Sequence, residues 1–206
     1  MIKVGILYTG EISNIFSLKN AIQYLGFETF IIKQPHQIYD MSKIIIPGVG
    51  SFPIGVKNLK KNKIFNEIKK LKKTKVLGIC LGMQILCDQG FEFKKTNGLK
   101  LINGQIKKID NLPELPHVGF KKVSFIKKDK LFSGIKQKTE LYFTHSYELK
   151  NYFSRDIIAK VIYPNKSIVA AIKNRNFYGV QFHPEKSGEI GLKLLDNFIK
   201  LKWKKN

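Results

Sequence analysis

The stretch Lys43-Ile44-Ile45-Ile46 has no polar face. A strand points alternate side chains to opposite sides, so three isoleucines in a row must be covered on both. Strands of that kind belong to parallel sheets with helices packed above and below. The neighbouring sequence agrees. "KVGIL" (Lys3 to Leu7), "FETFII" (Phe27 to Ile32) and "KVLGI" (Lys75 to Ile79) read as further strands. Between the first two, Ile15, Leu18, Ala21, Ile22 and Leu25 recur at helical spacing and Gly26 closes the run. Leu59, Ile64, Ile68 and Leu71 give a second helical face inside the lysine-rich run from Lys57 to Lys75. Alternation of strand and helix is the signature of α/β architecture.

The second half changes character. "LINGQIKKI", "KKVSFIKK", "ELYFTHSYEL", "IIAKVIYP", "SIVAAIK" and "FYGVQFHP" follow one another with short connections, a β-rich order that predicts an antiparallel extension of the sheet. The chain then reads as an amphipathic helix through Ile190, Leu192, Leu195, Phe198, Ile199 and Leu201. No repeat or long linker divides it, so residues 1–206 are expected to form one domain.

Composition narrows the class. Hydrophobic residues make up 43% of the chain, enough for a core without disulfide staples. No apolar run is long enough to span a bilayer. The N-terminus reads as a strand and lacks a secretory cleavage site, so a cytoplasmic protein is expected, with no membrane partner. The 37 Lys and Arg against 15 Asp and Glu leave a net charge of +22. Nucleic-acid binding is one reading of that excess. No RNA- or DNA-binding motif accompanies it, and the lysines surround helical apolar stripes as a solvated face would. A charge of this size still steers acidic partners or phosphorylated metabolites.

The two cysteines are Cys80 and Cys87. On a helix, seven residues separate them by ~10 Å, too far for a disulfide. Two thiols also make a poor zinc site, and neither metal nor cofactor is expected. Cys80 sits in Gly78-Ile79-Cys80-Leu81-Gly82, after a strand and before a helical stretch, "LGMQILCD". That is the context of a nucleophile elbow. Glycines are required there because the sharp turn leaves no room for neighbouring Cβ atoms. The positive end of the following helix favours a thiolate, and the Leu81 amide faces a developing oxyanion. Cys87 lacks this context and reads as a core thiol.

A cysteine nucleophile needs a base. Of the four histidines, His36 lies in a polar loop, whereas His183 ends a strand and is followed by Pro184 and Glu185. Proline stiffens the turn, and Glu185 can orient the imidazole. Cys80, His183 and Glu185 therefore form a candidate triad, with a structural turn histidine as the alternative. "PGVGSF" (Pro47 to Phe52) places two glycines after a strand, as a second oxyanion donor or a plain turn.

Taken together, "PGVGSF", "GICLGMQ", "YFTHSY" and "GVQFHPEKSG" resemble the class I glutamine amidotransferases, and within them the glutaminase subunits of imidazole glycerol phosphate synthase. The resemblance covers essentially the whole chain. It implies a flavodoxin-like three-layer sandwich that hydrolyses L-glutamine to glutamate and ammonia. Cys80 would be the nucleophile, His183 the base and Glu185 its partner. Gly48, Val49 and Gly50, with Leu81, would form the oxyanion site. Gln84, Glu92, His145, Ser146 and Tyr147 would line the glutamine pocket, Glu92 being suited to pair the substrate ammonium. Tyr142, Lys186, His117, Phe120 and His145 would face the synthase partner, a (β/α)8-barrel cyclase that receives the ammonia and makes imidazole glycerol phosphate and AICAR.

Two segments depart from the family pattern. "LYTGEISN" replaces D-Y-G-x-G-N, keeping Asn14, and "PHVGFK" replaces P-H-M-G-W-N, keeping His117 and Gly119. They motivate a second reading, a paralogue that supplies ammonia to an amidotransferase of surface sugars. A basic nucleic-acid- or partner-binding module on an inactive glutaminase fold is a third, and a stand-alone cysteine hydrolase a fourth.

Overall fold

The structure, a computed structural model, describes residues 2–10, 13–48, 50–110, 112, 114–163 and 166–202. Its first half runs β1 (Lys3–Leu7), α1 (Ser13–Tyr24), β2 (Glu28–Ile32), β3 (Lys43–Ile46), α2 (Phe52–Lys61), α3 (Ile64–Lys70), β4 (Lys75–Ile79) and α4 (Leu81–Ile85). The second half runs β5 (Gln89–Gly90), β6 (Thr96–Asn97), β7 (Gln105–Lys108), β8 (His117–Phe125), β9 (Thr139–His145), β10 (Tyr147–Lys150), β11 (Ile157–Tyr163), β12 (Lys166–Asn174), β13 (Phe177–Val180) and α5 (Gly188–Lys200).

Nine strands make the main sheet, in the order β2-β1-β3-β4-β13-β12-β11-β8-β9. From β2 to β13 the pairs are parallel, and from β13 to β9 they are antiparallel. The start of this order, 2-1-3-4, is flavodoxin-like. The isoleucine triplet behaves as its sequence requires: Ile44, Ile45 and Ile46 are all fully buried. Ile45 joins Leu77, Ile79 and the apolar faces of α1 and α5 in one core, whereas Ile44 and Ile46 join Val76 and the faces of α2, α3 and α4 in another. The sheet is therefore the middle of three layers.

Three features differ from the sequence reading. "FYGVQFHP" is antiparallel on one side only: β13 pairs antiparallel with β12 but runs parallel to β4, with Gly179 opposite Gly78. The β12–β13 hairpin turns the chain back beside β4, and that places His183 next to Cys80 in the fold. Four strands also leave the main sheet and form a second one, β10-β7-β5-β6. "ELYFTHSYEL" is consequently two strands, β9 in the large sheet and β10 in the small one, broken at Ser146. The lysine-rich run also holds two helices, separated where Lys63 takes a left-handed φ of 58°. The stretch after Cys80 is helical only to Ile85, so "LGMQILCD" is one short turn longer in sequence than in structure.

Candidate active site

Cys80 stands at the carboxyl end of β4, where ligands collect in open α/β sheets. Its backbone takes φ 49° and ψ −107°. A non-glycine residue there carries strain of about 1–3 kcal/mol, held by its surroundings. The Cys80 amide donates to the Val180 carbonyl at 2.7 Å, and the Cys80 carbonyl opens α4 by accepting from Gln84 at 3.1 Å. The glycines on either side are packing requirements. A Cβ on Gly82 would fall 2.0 Å from the Ile46 carbonyl oxygen, and one on Gly78 would fall 2.4 Å from Gly82. Gly48 presses its backbone on the same turn, where a Cβ would stand 1.9 Å from the Ile79 oxygen.

His183 follows β13 and is 2% exposed. Its amide donates to the Tyr142 carbonyl at 2.8 Å, and its carbonyl accepts from the Ser187 hydroxyl at 2.7 Å. These bonds lock the backbone on both sides of the ring. The ring Nδ1 meets Glu185 Oε1 at 2.8 Å, with both side chains buried. Burial by itself pushes the imidazole towards neutrality, yet Cys80 and Glu185 outweigh it and raise the pKa to about 9. His183 is thus charged at neutral pH. Its Nε2 is buried, and the ring lines the same cavity as Cys80.

That cavity measures about 260 Å³. Drug-sized ligands occupy roughly 300–1,000 Å³, so this one suits a single small metabolite. Gly48, Gly50, Cys80, Leu81, Gln84, Glu92, His145, Ser146, Tyr147 and His183 line it, together with Lys186, which the family pattern set towards the partner. Val49 lies outside the described residues. Glu92 also accepts from the Phe52 amide at 2.7 Å, which fixes the first turn of α2 below the glycine loop. Sequence reasoning missed two neighbours. Gln181, fully buried, donates from Nε2 to Cys80 Sγ at 3.4 Å and accepts from Gln84 Nε2 at 3.1 Å. Thr144 offers its carbonyl to the thiol at 3.8 Å. The signal for Gln181 was a lone polar side chain in an otherwise apolar strand end.

Cys87 is fully buried beneath α4, and burial raises its thiol far above the ordinary range. Both cysteines are free. Phe120, Tyr142 and Lys186 form a surface cluster at the cavity mouth: the two rings meet edge-on at 5.5 Å, and the Lys186 ammonium lies 5.9 Å from the Tyr142 ring. His117 does not belong to that surface. It is 5% exposed and sits under the sheet, because alternation along β8 turns it inward while Val118 and Phe120 are exposed. His145, which the family pattern also set towards the partner, is 6% exposed and lines the cavity instead. Its Nδ1 donates to the Tyr147 carbonyl at 2.8 Å, leaving Nε2 to accept from His117 Nδ1 at 3.0 Å. His117 Nε2 in turn accepts from the Tyr163 hydroxyl. Burial keeps both imidazoles neutral, with His145 pushed down to about 3 and His117 to about 4.

A buried thiol and imidazole lining one cavity, with a carboxylate bonded to the imidazole, is the constellation of acyl-transfer enzymes. The family model of glutamine amidotransferase class-I matches residues 10–201. The chain belongs to the class-I glutamine amidotransferase family. Among relatives of this amidotransferase, imidazole glycerol phosphate synthase subunit HisH 1 of Campylobacter jejuni strain 81-176 is 38% identical over 91% of this chain and 95% of its own. The subunit HisH of Prochlorococcus marinus subsp. pastoris is 39% identical over 97% and 98%. Subunit HisH 2 of Methanococcus maripaludis is 39% identical over 91% and 94%. Solved structures share the fold at lower identity. PurLQS from Thermotoga maritima superposes with a TM-score of 0.74 at 17% identity, covering 96% of this chain and 97% of that one. A glutamine amidotransferase from the same organism gives 0.66 at 17%, covering 96% and 82%. Among the described residues no helix of the amidotransferase is long and apolar enough to cross a membrane, and no cluster of ligating side chains is arranged to hold a metal ion.

Proposed function

We propose that this amidotransferase is the glutaminase subunit of an imidazole glycerol phosphate synthase, with Cys80, His183 and Glu185 as its triad. The observation that carries the chemistry is the facing of Cys80 and a charged, Glu185-bonded His183 across one small cavity. The pathway rests on the relatives' names, all of them synthase subunits matched over nearly their full length.

The reaction follows from the geometry. Glutamine enters with its side-chain amide against Cys80 and its ammonium towards Glu92. The Cys80 thiolate attacks the amide carbon, and the electron pair of the carbonyl moves onto oxygen. The Leu81 amide and the glycine loop at Gly48 and Gly50 stabilise that charge. The C–N bond breaks as the His183 imidazolium gives its proton to the leaving nitrogen, releasing ammonia. A γ-glutamyl thioester remains. His183, now neutral, deprotonates water, which attacks the thioester. The C–S bond breaks, the Cys80 thiolate and His183 imidazolium are restored, and glutamate leaves with its carboxyl proton lost to solvent. Glu185 holds the ring tautomer and stabilises its charged form throughout.

Ammonia needs a protected route to an acceptor, and the Phe120–Tyr142–Lys186 cluster at the cavity mouth is the surface assigned to the (β/α)8-barrel cyclase. The altered segments "LYTGEISN" and "PHVGFK" motivate the surface-sugar reading; the relatives' names favour the histidine branch. The test is glutamine hydrolysis by the protein with and without the liganded cyclase. Stimulation of about 10²–10³-fold, the worth of one oxyanion donor, is expected. Cys80→Ala should abolish turnover and labelling by a glutamine-like electrophile, while Cys87→Ala retains both. Labelling that persists in Cys80→Ala would overturn the nucleophile assignment, and the absence of any cyclase effect would overturn the pathway.

A further inference from the structure

A cleft larger than the glutamine cavity opens at the other end of the sheet, where β4 and β13 begin, and measures about 860 Å³. β4 is five residues long, so its first residue and the thiol after its last stand ~17 Å apart. Among the described residues, eight Lys and Arg side chains line this cleft against one carboxylate, Asp129.

Asp129 is already engaged. It is ion-paired with Lys173 and accepts from the Leu131 amide at 2.9 Å. The rest of the cationic lining includes residues from separate parts of the chain: Lys72 and Lys75 at the junction of α3 and β4, Lys130 beyond β8, Arg175 in the β12–β13 turn and Lys202 after α5. Their convergence is a product of the fold, not of one basic run. Nor are they all solvated surface groups. Lys75 is 9% exposed, with its ammonium 5.8 Å from the Tyr178 ring centre, and Lys173 lies over the same ring at 5.1 Å. Burial and the charge of Lys173 both lower the Lys75 pKa. Lys43, opposite Lys75 on β3, is lowered by burial and by Lys75 in the same way. Cations drawn together and desolvated repel one another, and a bound anion relieves that cost.

We infer that this cleft is a second ligand site, separate from the glutamine cavity, which binds a small multiply phosphorylated metabolite through its polyphosphate group. Two or more linked phosphates match several cations converging from different directions, where a single phosphate would meet one or two. A bounded cleft of this volume favours a small metabolite over a long polymer, whose backbone would require a continuous basic stripe. Nothing in the site depends on the glutaminase assignment.

The test uses the full chain at physiological salt, with inorganic triphosphate and ATP as probes, read by calorimetry and thermal unfolding. Saturable one-to-one binding and a rise in Tm are expected for both. The double variant Lys72→Glu/Arg175→Glu, in two exposed positions, should weaken binding at least ~10-fold. Lys107→Glu/Lys108→Glu, which removes the same charge from the small sheet, should stay within about twofold. Labelling of Cys80 by a glutamine-like electrophile should be the same in both variants, showing that the fold is intact. The inference is overturned by no saturable binding, by equal loss in the two double variants, or by a preference for single-stranded RNA that is indifferent to the cleft variants.

Discussion

At the scale of single residues, the proposed triad turns on how His183 is held. Its backbone is fixed by Tyr142 and Ser187, and its ring by Glu185. Glu185→Gln keeps the shape but replaces the acceptor for the Nδ1 proton with an ambiguous one. By analogy with triads in which the acid becomes an amide, kcat for glutamine hydrolysis should fall by about 10²–10⁴, with a smaller change in KM. The alkaline limb of the rate profile should also move to lower pH, since Glu185 helps raise the His183 pKa. An unchanged profile would mean that the carboxylate only packs. Gln181 shows what a single position hides: its only mark in "GVQFHP" is a polar side chain among apolar ones, yet it touches the sulfur and ties Gln84 to it.

At the scale of elements, the elbow between β4 and α4 is the costly piece. Cys80 is strained and the backbones of Gly48, Gly78 and Gly82 are crowded around it. Gly82→Ala sets a methyl 2.0 Å from a carbonyl oxygen of β3, and neither partner is a flexible side chain. Loss of about 3 kcal/mol is expected, a fall of ~6–12 °C in Tm by calorimetry, together with loss of glutaminase activity. A neutral effect would show that β3 and α4 slide apart easily. The four parallel strands of the first half and the elbow were legible from their apolar runs and glycines. The break at Ser146 was not, because "ELYFTHSYEL" has strand-forming residues on both sides of it and only the pairing partners differ: β8 for one half, β7 for the other. The pairing of β13 with β4 was hidden because the two strands lie far apart in the chain, and only the local hairpin with β12 leaves a mark in consecutive residues.

At the scale of the whole molecule, three histidines set opposing pH limits. His183 is raised to about 9, so its native state holds a proton that the unfolded chain has released above the ordinary value of 6.5. That contribution is complete below pH 6.5 and disappears as pH rises through about 9. His145 and His117 are lowered to about 3 and about 4, so the unfolded chain takes up protons first as pH falls below 6.5. Their contribution is complete above 6.5 and is lost towards pH 3–4. Chemical denaturation across pH should therefore show these histidines giving a maximum near pH ~6–7. His183→Gln should flatten the alkaline side alone, and a slope unchanged in that variant would refute the assignment. The net charge of +22 acts at this scale too, and part of it converges on the cleft at the start of β4 and β13 instead of spreading evenly.

The sequence by itself determined the layered α/β plan and the elbow that carries Cys80, because apolar periodicity and glycine placement act locally and leave their mark in consecutive residues. The tertiary structure alone decided that β13 lies beside β4, that His117 turns inward, that Gln181 reaches the sulfur and that distant cations share one cleft. Those outcomes depend on which strands pair and which side chains meet across long stretches of chain, and no local preference encodes a meeting of that kind.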